Sequence, residues 1–294
     1  MKIKAHTLCQ ILFLIFTSSS WALDVHGHRG ARARRPENTL PAFEYAIEVG
    51  AQYIELDLAV TKDNQLVISH DPHISKTICL GPKGEPIKTE PLIHSLTLAQ
   101  VKKYDCGTLK NPRFKTQQPV PGTRIPTLRE VFMMVKKSKL PAAQKLRFNI
   151  ETKIFPEHPE FTVTPAEFAK LLITELRKQN MIKRSVIESF DYRTFPEIRK
   201  LEAGIEISAL TENPKEDLLE TAKKLKADYI SSEFNLLNAE KVKALHALGV
   251  KLAPWTVNNP KDWQHLIDWG VDAIITDDPG ELLQFLKTHP VKTQ

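Results

Sequence analysis

The sequence predicts an α/β fold: eight strand–helix units closed into a (β/α)8, or TIM, barrel, with an insertion on its rim after the second strand. Three observations carry that expectation. Short β-like apolar runs alternate with longer helical patterns along almost the whole chain. The runs number eight, which is the number that closes such a sheet on itself. A length of 294 residues, less a leader, suits one barrel of about 250 residues.

The strands are expected at residues 25–28, 53–60, 147–153, 186–190, 206–210, 228–232, 251–256 and 272–276. Helical patterns fall at 39–49, 128–137, 165–179, 195–202, 214–226, 239–248, 260–269 and 279–286. Pro165, Pro214, Pro260 and Pro279 lie near the helix starts, where a missing N–H costs nothing. Residues 71–125 break the rhythm. They are rich in Pro, Gly, Lys and Thr, with one convincing helical piece near Leu98 to Tyr104. That is too long for a connecting loop and reads as the rim insertion.

Residues 1–22 read as an export signal. Lys2 and Lys4 precede an apolar run at 8–16, and small residues lead to Ala22. The run is far below the roughly 20 residues of a membrane span. The expected mature chain, 23–294, is a single barrel domain, secreted or periplasmic, with no stable membrane insertion. Losing two lysines takes the net charge from +6 to +4. That mild excess suits an anionic small molecule, and no basic run is dense enough for nucleic acid. No sequence feature sets an oligomeric state. Cys9 leaves with the signal, so Cys79 and Cys106 remain, both in the insertion. An even pair in an exported chain suggests a disulfide, with two free thiols as the alternative.

The second strand reads Tyr53-Ile54-Glu55-Leu56-Asp57-Leu58. Strand alternation puts Ile54, Leu56 and Leu58 on one face and Glu55 and Asp57 on the other. In the third, Asn149, Glu151 and Lys153 share the inward face. Buried neighbouring carboxylates repel one another and resist leaving water. Glu55, Asp57 and Glu151 together offer hard oxygen ligands suited to Mg²⁺ or Ca²⁺. The same acids could instead pair with Arg29 and Lys153 in a purely structural network.

His28 ends the first strand, and His70 ends the short extended run 66–69. Both fall at the C-terminal rim, where barrel active sites lie. Two histidines there could serve as base and acid. His26 shares a face with His28 but lies deeper, and the remaining histidines fall in loops or helical patterns. Arg32, Arg34 and Arg35 read as a solvated loop, whereas Arg29, beside His28, could hold a phosphate oxygen through its fork of donors.

His28-Arg29-Gly30, Pro36-Glu37-Asn38-Thr39, Glu55-Leu56-Asp57 and His70-Asp71 follow in an order that resembles the glycerophosphodiester phosphodiesterase family. The resemblance continues through Asn149-Ile150-Glu151-Thr152-Lys153, Ser189-Phe190-Asp191, Trp255-Thr256-Val257-Asn258 and the run from Asp272 to Pro279. It implies a barrel related to bacterial phosphatidylinositol phospholipases C. It also implies hydrolysis of small-molecule glycerophosphodiesters to glycerol 3-phosphate and an alcohol. By the same resemblance Glu55, Asp57 and Glu151 hold one divalent cation, Ca²⁺ or Mg²⁺, and His28 and His70 are the acid–base pair. Arg29 and Lys153 contact the phosphate, Glu37 supports the site, and Trp255 lines the pocket. Glu188 stands where Gln is common in that family. An enzyme of whole lipids would want an apolar ridge on the insertion, and the sequence offers none there. A barrel kept only for binding would show a broken site, yet every candidate acid, base and ligand is present.

Overall fold

The structure is a computed structural model that describes residues 23–289; the expected signal, residues 1–22, lies outside the described residues. The chain opens with β1 (Asp24–Gly27), α1 (Leu40–Val49), β2 (Tyr53–Val60) and β3 (Leu66–Ile68). The insertion follows, carrying the short α2 (Leu98–Val101). Next come α3 (Leu128–Lys137), α4 (Pro141–Lys145), β4 (Arg147–Thr152), α5 (Pro165–Gln179), β5 (Ser185–Ser189) and α6 (Thr194–Leu201). The remainder is β6 (Glu206–Thr211), α7 (Leu218–Leu225), β7 (Tyr229–Ser232), α8 (Ala239–Ala247), β8 (Lys251–Leu252), α9 (Pro260–Trp269), β9 (Ala273–Thr276) and α10 (Pro279–Thr288).

Eight strands run parallel in the order β8-β7-β6-β5-β4-β2-β1-β9, and β3 pairs antiparallel with β2. Backbone bonds bridge the remaining seam. Asp272 N–H donates to Leu252 O at 3.2 Å, Ile275 N–H to Pro254 O at 3.0 Å, and Val257 N–H to Ile275 O at 3.0 Å. The result is a nearly closed (β/α)8 barrel. No helix among the described residues is long and apolar enough to cross a membrane.

Three local departures from the sequence pattern have identifiable causes. β8 is two residues long, because Pro254 has no N–H to give to a ladder. The chain still tracks β7 there, with Ala253 N–H on Ile230 O and Trp255 N–H on Ser232 O. α7 starts at Leu218 and not at Pro214, since Asp217 caps it by accepting from the N–H groups of Leu219 and Glu220. α4, five residues long, is too short to show a helical period in sequence.

Alternation decides what the barrel buries. Ile54, Leu56 and Leu58 of β2, with Phe148 and Ile150 of β4, pack outward against Phe43, Phe132 and Phe168 of the helices. Ile207, Ile230, Leu252 and Ile274 do the same against Leu245, Trp263 and Leu282 on the other side. Removing this apolar surface from water is the main favourable term holding helices to sheet. The opposite faces of the strands are left for polar groups inside the barrel mouth.

The insertion has a small core of its own. Ile74, Cys79, Ile93, Val101, Cys106 and Ile125 cluster on Ala59 and Val67, and a disulfide joins Cys79 to Cys106. Its last loop is pinned to the segment after β1. The buried Gln117 donates through Nε2 to Arg32 O at 2.7 Å and to Arg35 O at 3.2 Å, and Gln118 N–H donates to Arg34 O at 3.0 Å.

Candidate active site

The turn after β1 folds tightly because two glycines allow it. A Cβ on Gly27 would sit 1.9 Å from Gly30 O. Gly30 has φ +86°, and a Cβ there would meet the Ala42 carbonyl carbon at 2.7 Å. Between them Arg29 takes the left-handed region, φ 49°, uncommon for a residue with a side chain. That conformation is held from three sides. Arg29 N–H donates to Glu55 Oε2 at 2.6 Å, and its guanidinium donates to Glu37 Oε1 at 2.6 Å. Its Nε lies 3.5 Å from Asp57 Oδ2.

β2 and β4 lie side by side in a register that pairs Asp57 with Glu151. Glu55, Asp57 and Glu151 are all buried, and each offers an oxygen within 4.8 Å of the others. Asn38 Nδ2 donates to Asp57 Oδ2 at 2.8 Å. Lys153 places Nζ 2.7 Å from Glu151 Oε1 and 3.0 Å from Asp57 Oδ1. A fourth buried carboxylate, Glu188, faces Glu151 from β5 and accepts from Asn149 Nδ2 at 2.8 Å.

The electrostatics follow from this crowding. Burial first, then the charges of Asp57 and Glu188, hold the Glu55 carboxyl well above its ordinary range. Burial, with Asp57, also raises Glu151 against the pull of Lys153. Burial pushes Glu188 to about 8, and Glu151 adds to it. Asp57 goes the other way. Burial would raise it, but Lys153, then His70 and Arg29, outweigh burial and hold it well below the carboxylate range. Lys153 is raised because Asp57 and Glu151 outweigh its own burial. Two fixed cations, Arg29 and Lys153, stand among four buried carboxylates, and the raised proton affinity of Glu55, Glu151 and Glu188 marks a cluster short of positive charge. The converging oxygens therefore fit a hard divalent cation on both charge and ligand type.

His28 sits beside this cluster, its Nε2 3.9 Å from Glu55 Oε2. Its Nδ1 is 2.7 Å from Asp277 Oδ1. Asp277 also takes Arg32 Nε at 2.5 Å and Asn258 Nδ2 at 2.8 Å. Burial would raise Asp277, yet His28 and Arg32 lower its proton affinity strongly, so it is an acceptor only. Nδ1 of His28 must then carry the hydrogen, which leaves the Nε2 lone pair free. Burial, with Arg32, presses His28 down to about 3, against the pull of Asp277. His70 is more exposed and pairs Nδ1 with Asp71 Oδ1 at 2.7 Å. The adjacent Ser69 N–H donates to Asp57 O at 3.0 Å and so ties His70 to β2.

These groups open on one cleft of about 570 Å³ at the C-terminal mouth of the barrel. His28, Arg29, Glu55, His70, Glu151 and Lys153 line one part of it. Trp255 forms part of the wall, its Nε1 donating to Ser231 O at 2.8 Å and its ring meeting Phe190 edge-on at 5.6 Å. Glu37 stands one step back, holding Arg29 and accepting from Asn111 Nδ2 of the insertion at 3.1 Å.

Nearly every residue singled out in the sequence thus converges here. The disulfide pair is elsewhere, beneath the insertion. The arginine run is a correction. Arg32 is buried and lines the cleft, and Arg34 Nε donates to Asp278 Oδ2 at 2.5 Å. The acids at the end of β9 draw the loop inward, so Arg32 leaves the solvent and Arg34, a third exposed, is ion-paired. Sequence reasoning placed Asn149 inward without a role, and gave none to Asp277 or Asn38. Asp277 follows directly on a barrel strand, and that placement was its signal.

A phosphate-sized anion has cationic donors here, and its reacting oxygens would have an imidazole and a carboxylate nest. Fold and cleft together define a (β/α)8-barrel hydrolase of phosphate esters. Residues 28–281 match the model of the glycerophosphoryl diester phosphodiesterase family, and the chain belongs to that family. It is 31% identical to a glycerophosphodiester phosphodiesterase of Caldanaerobacter subterraneus, over 90% of this chain and 97% of that one. A glycerophosphodiester phosphodiesterase of Bacillus subtilis is 29% identical over 86% of this chain and 82% of its own. A solved family structure from Silicibacter pomeroyi superposes with a TM-score of 0.85 at 26% identity, covering 92% of this chain and 95% of its own. A phosphodiesterase of Oleispira antarctica, solved with the product sn-glycerol 3-phosphate, shares the fold at a TM-score of 0.73 and 22% identity, covering 92% and 99%.

Proposed function

We propose that the chain hydrolyses glycerophosphodiesters to sn-glycerol 3-phosphate and an alcohol, with a divalent cation on Glu55, Asp57 and Glu151 and with His28 and His70 as base and acid. The observation that carries this is the buried carboxylate trio next to an imidazole whose tautomer Asp277 sets. The product bound to the Oleispira antarctica enzyme supports the same substrate class.

Arg29 and Lys153 set positive charge beside the phosphate, where the transition state gathers negative charge. A divalent cation, Ca²⁺ or Mg²⁺, would supply Lewis-acid stabilisation there when bound. His28 Nε2 accepts the proton of the attacking hydroxyl, whether of water or of the substrate's glycerol. The imidazolium so formed is stabilised by Asp277. His70 returns a proton to the departing alkoxide, and its exposure lets it reload from solvent. Glu37 fixes the Arg29 guanidinium in place.

We propose export as well. Lys2 and Lys4 ahead of the apolar run at 8–16 support it, as does the disulfide, a bond that persists in oxidising compartments. The test of the enzymatic reading is release of sn-glycerol 3-phosphate from glycerophosphocholine by purified protein, with chelator and with Ca²⁺ or Mg²⁺ restored. Release that is lost with chelator and regained with the ion is expected. Undiminished release in chelator would remove the cation from the reading, and no release at all would remove the reaction.

A further inference from the structure

The cleft has a second wall that the reaction above does not use. Counting around the eight strands, β1 and β2 stand opposite β6 and β7. His28, Arg29, Glu55 and Asp57 belong to the first pair, and Lys153 lies just past β4. Arg113, from the insertion, lines the cleft too. The loop that carries Arg113 is pinned to the β1 side, through Asn111 on Glu37 and Gln117 on Arg32 O. Its guanidinium lies over the Phe114 ring and meets no carboxylate among the described residues. The basic groups therefore gather on the side of the carboxylate trio.

The facing wall has the opposite character. Glu212 follows β6 and Glu233 follows β7, and both line the cleft. Neither pairs with a cation among the described residues. Among the described residues Glu233 accepts from Asn235 alone, through its backbone N–H at 3.0 Å and its Nδ2 at 2.7 Å. Around them stand the rings of Phe190, Phe234 and Trp255. Phe190 is 44% exposed, a large apolar ring held in water at the mouth. Unpaired carboxylates among open aromatic faces attract an ammonium group twice over, by charge and by the negative face of the rings. They also repel an anion.

We infer that this wall is a head-group subsite for cations, so that the enzyme prefers diesters whose alcohol carries an ammonium group. A molecule with a phosphodiester at one end and an ammonium at the other matches a cleft that is basic on one side and acidic on the other. The inference rests on the phosphodiesterase reading and adds to it the part of the substrate beyond the phosphate.

The experiment compares kcat/KM for glycerophosphocholine with that for glycerophosphoglycerol, whose head group is neutral. Wild type is expected to favour the choline diester, and the preference should shrink as salt is raised. The double variant Glu212→Gln/Glu233→Gln should lose roughly fivefold or more of that preference, mainly through KM, the range for two partly screened charges. Gln at 233 can still accept from Asn235. Glu212→Lys, at an exposed position, should carry the ratio past that of the double variant toward the neutral diester. An unchanged ratio in these variants, with glycerophosphoglycerol still cleaved, would overturn the subsite and leave the phosphodiesterase reading standing. Failure of wild type to cleave either diester would overturn both.

Discussion

His28 Nδ1 and Asp277 Oδ1 lie 2.7 Å apart although 249 residues separate them in sequence. The bond crosses from the end of the first barrel strand to the end of the last. It fixes which ring nitrogen carries the hydrogen and therefore which one is left with a free lone pair beside the cleft. Asp277→Asn would offer the ring a donor where it now meets an acceptor, and the wrong tautomer would follow. Turnover of a glycerophosphodiester should fall roughly 10²–10⁴-fold with metal affinity retained. Steady-state kinetics alongside calorimetry would check it, and a variant within a factor of about three of wild type would free His28 from Asp277.

The carboxylate trio makes a separate prediction. Glu55→Gln and Glu151→Gln should each weaken binding of Ca²⁺ or Mg²⁺ as well as slow the reaction, since each removes one of three converging charged oxygens. Titration calorimetry on each variant reads this directly. Normal affinity in either would strike that residue from the ligand set.

The two histidines should part company when the leaving group changes. His28→Ala and His70→Ala should each slow a glycerol diester by roughly 10²–10⁴-fold. A nitrophenolate departs without needing a proton. On a nitrophenyl diester His70→Ala should therefore recover much of its rate, while His28→Ala should not. Equal losses on both substrates, together with lost metal, would make the histidines ligands or struts.

His26 lies below the site, stacked on Tyr53 at 4.0 Å, and both its ring nitrogens are buried without a hydrogen-bond partner among the described residues. Burial, aided by Arg147, presses it from 6.5 to about 3. The folded chain thus binds fewer protons than the unfolded one between those values. Its contribution to stability is whole above pH 6.5 and drains away as pH falls toward 3. At pH 4 the loss is on the order of 3 kcal/mol. His26→Phe should keep the stack and flatten the fall in stability between pH 6 and pH 4, read by urea melts across that range. A slope equal to wild type would place the acid sensitivity elsewhere.

The disulfide closes a segment of 27 residues within the insertion, and only the small cluster beneath it depends on that closure. Cys79→Ser/Cys106→Ser should speed protease cleavage between residues 71 and 125 while the barrel's thermal transition stays close to wild type. A barrel that melts many degrees lower would show that the insertion props it up.

The sequence shows the barrel well where one face is apolar and the other is not. Glu55 and Asp57 alternate with Ile54, Leu56 and Leu58, so β2 could be placed, with its inward acids, before any coordinates. α3, α5 and α9 begin where their patterns do, because Thr127, Thr164 and Asn259 cap them at once. What escaped notice depends on contacts between distant segments. Arg32 reads as a loop arginine until Asp277 lies beside it, and Asn111 is one polar residue among many until Glu37 is in reach. Pro214 looks like a helix start, but Asp217 makes the better cap three residues on. Periodicity is local information, whereas these pairings belong to the closed barrel.

If His28 is the base proposed above, its bond to Asp277 also sets when in the life of the molecule the chemistry can begin. A chain made from its N-terminus onward carries the imidazole from residue 28, but gains the orienting carboxylate only at residue 277, 249 residues later. A fragment cut short anywhere before β9 has no carboxylate at this place on His28, even if its other strands have found one another. On the proposed mechanism, catalytic competence therefore waits for residue 277, and its appearance would mark the moment at which β9 has closed against β1.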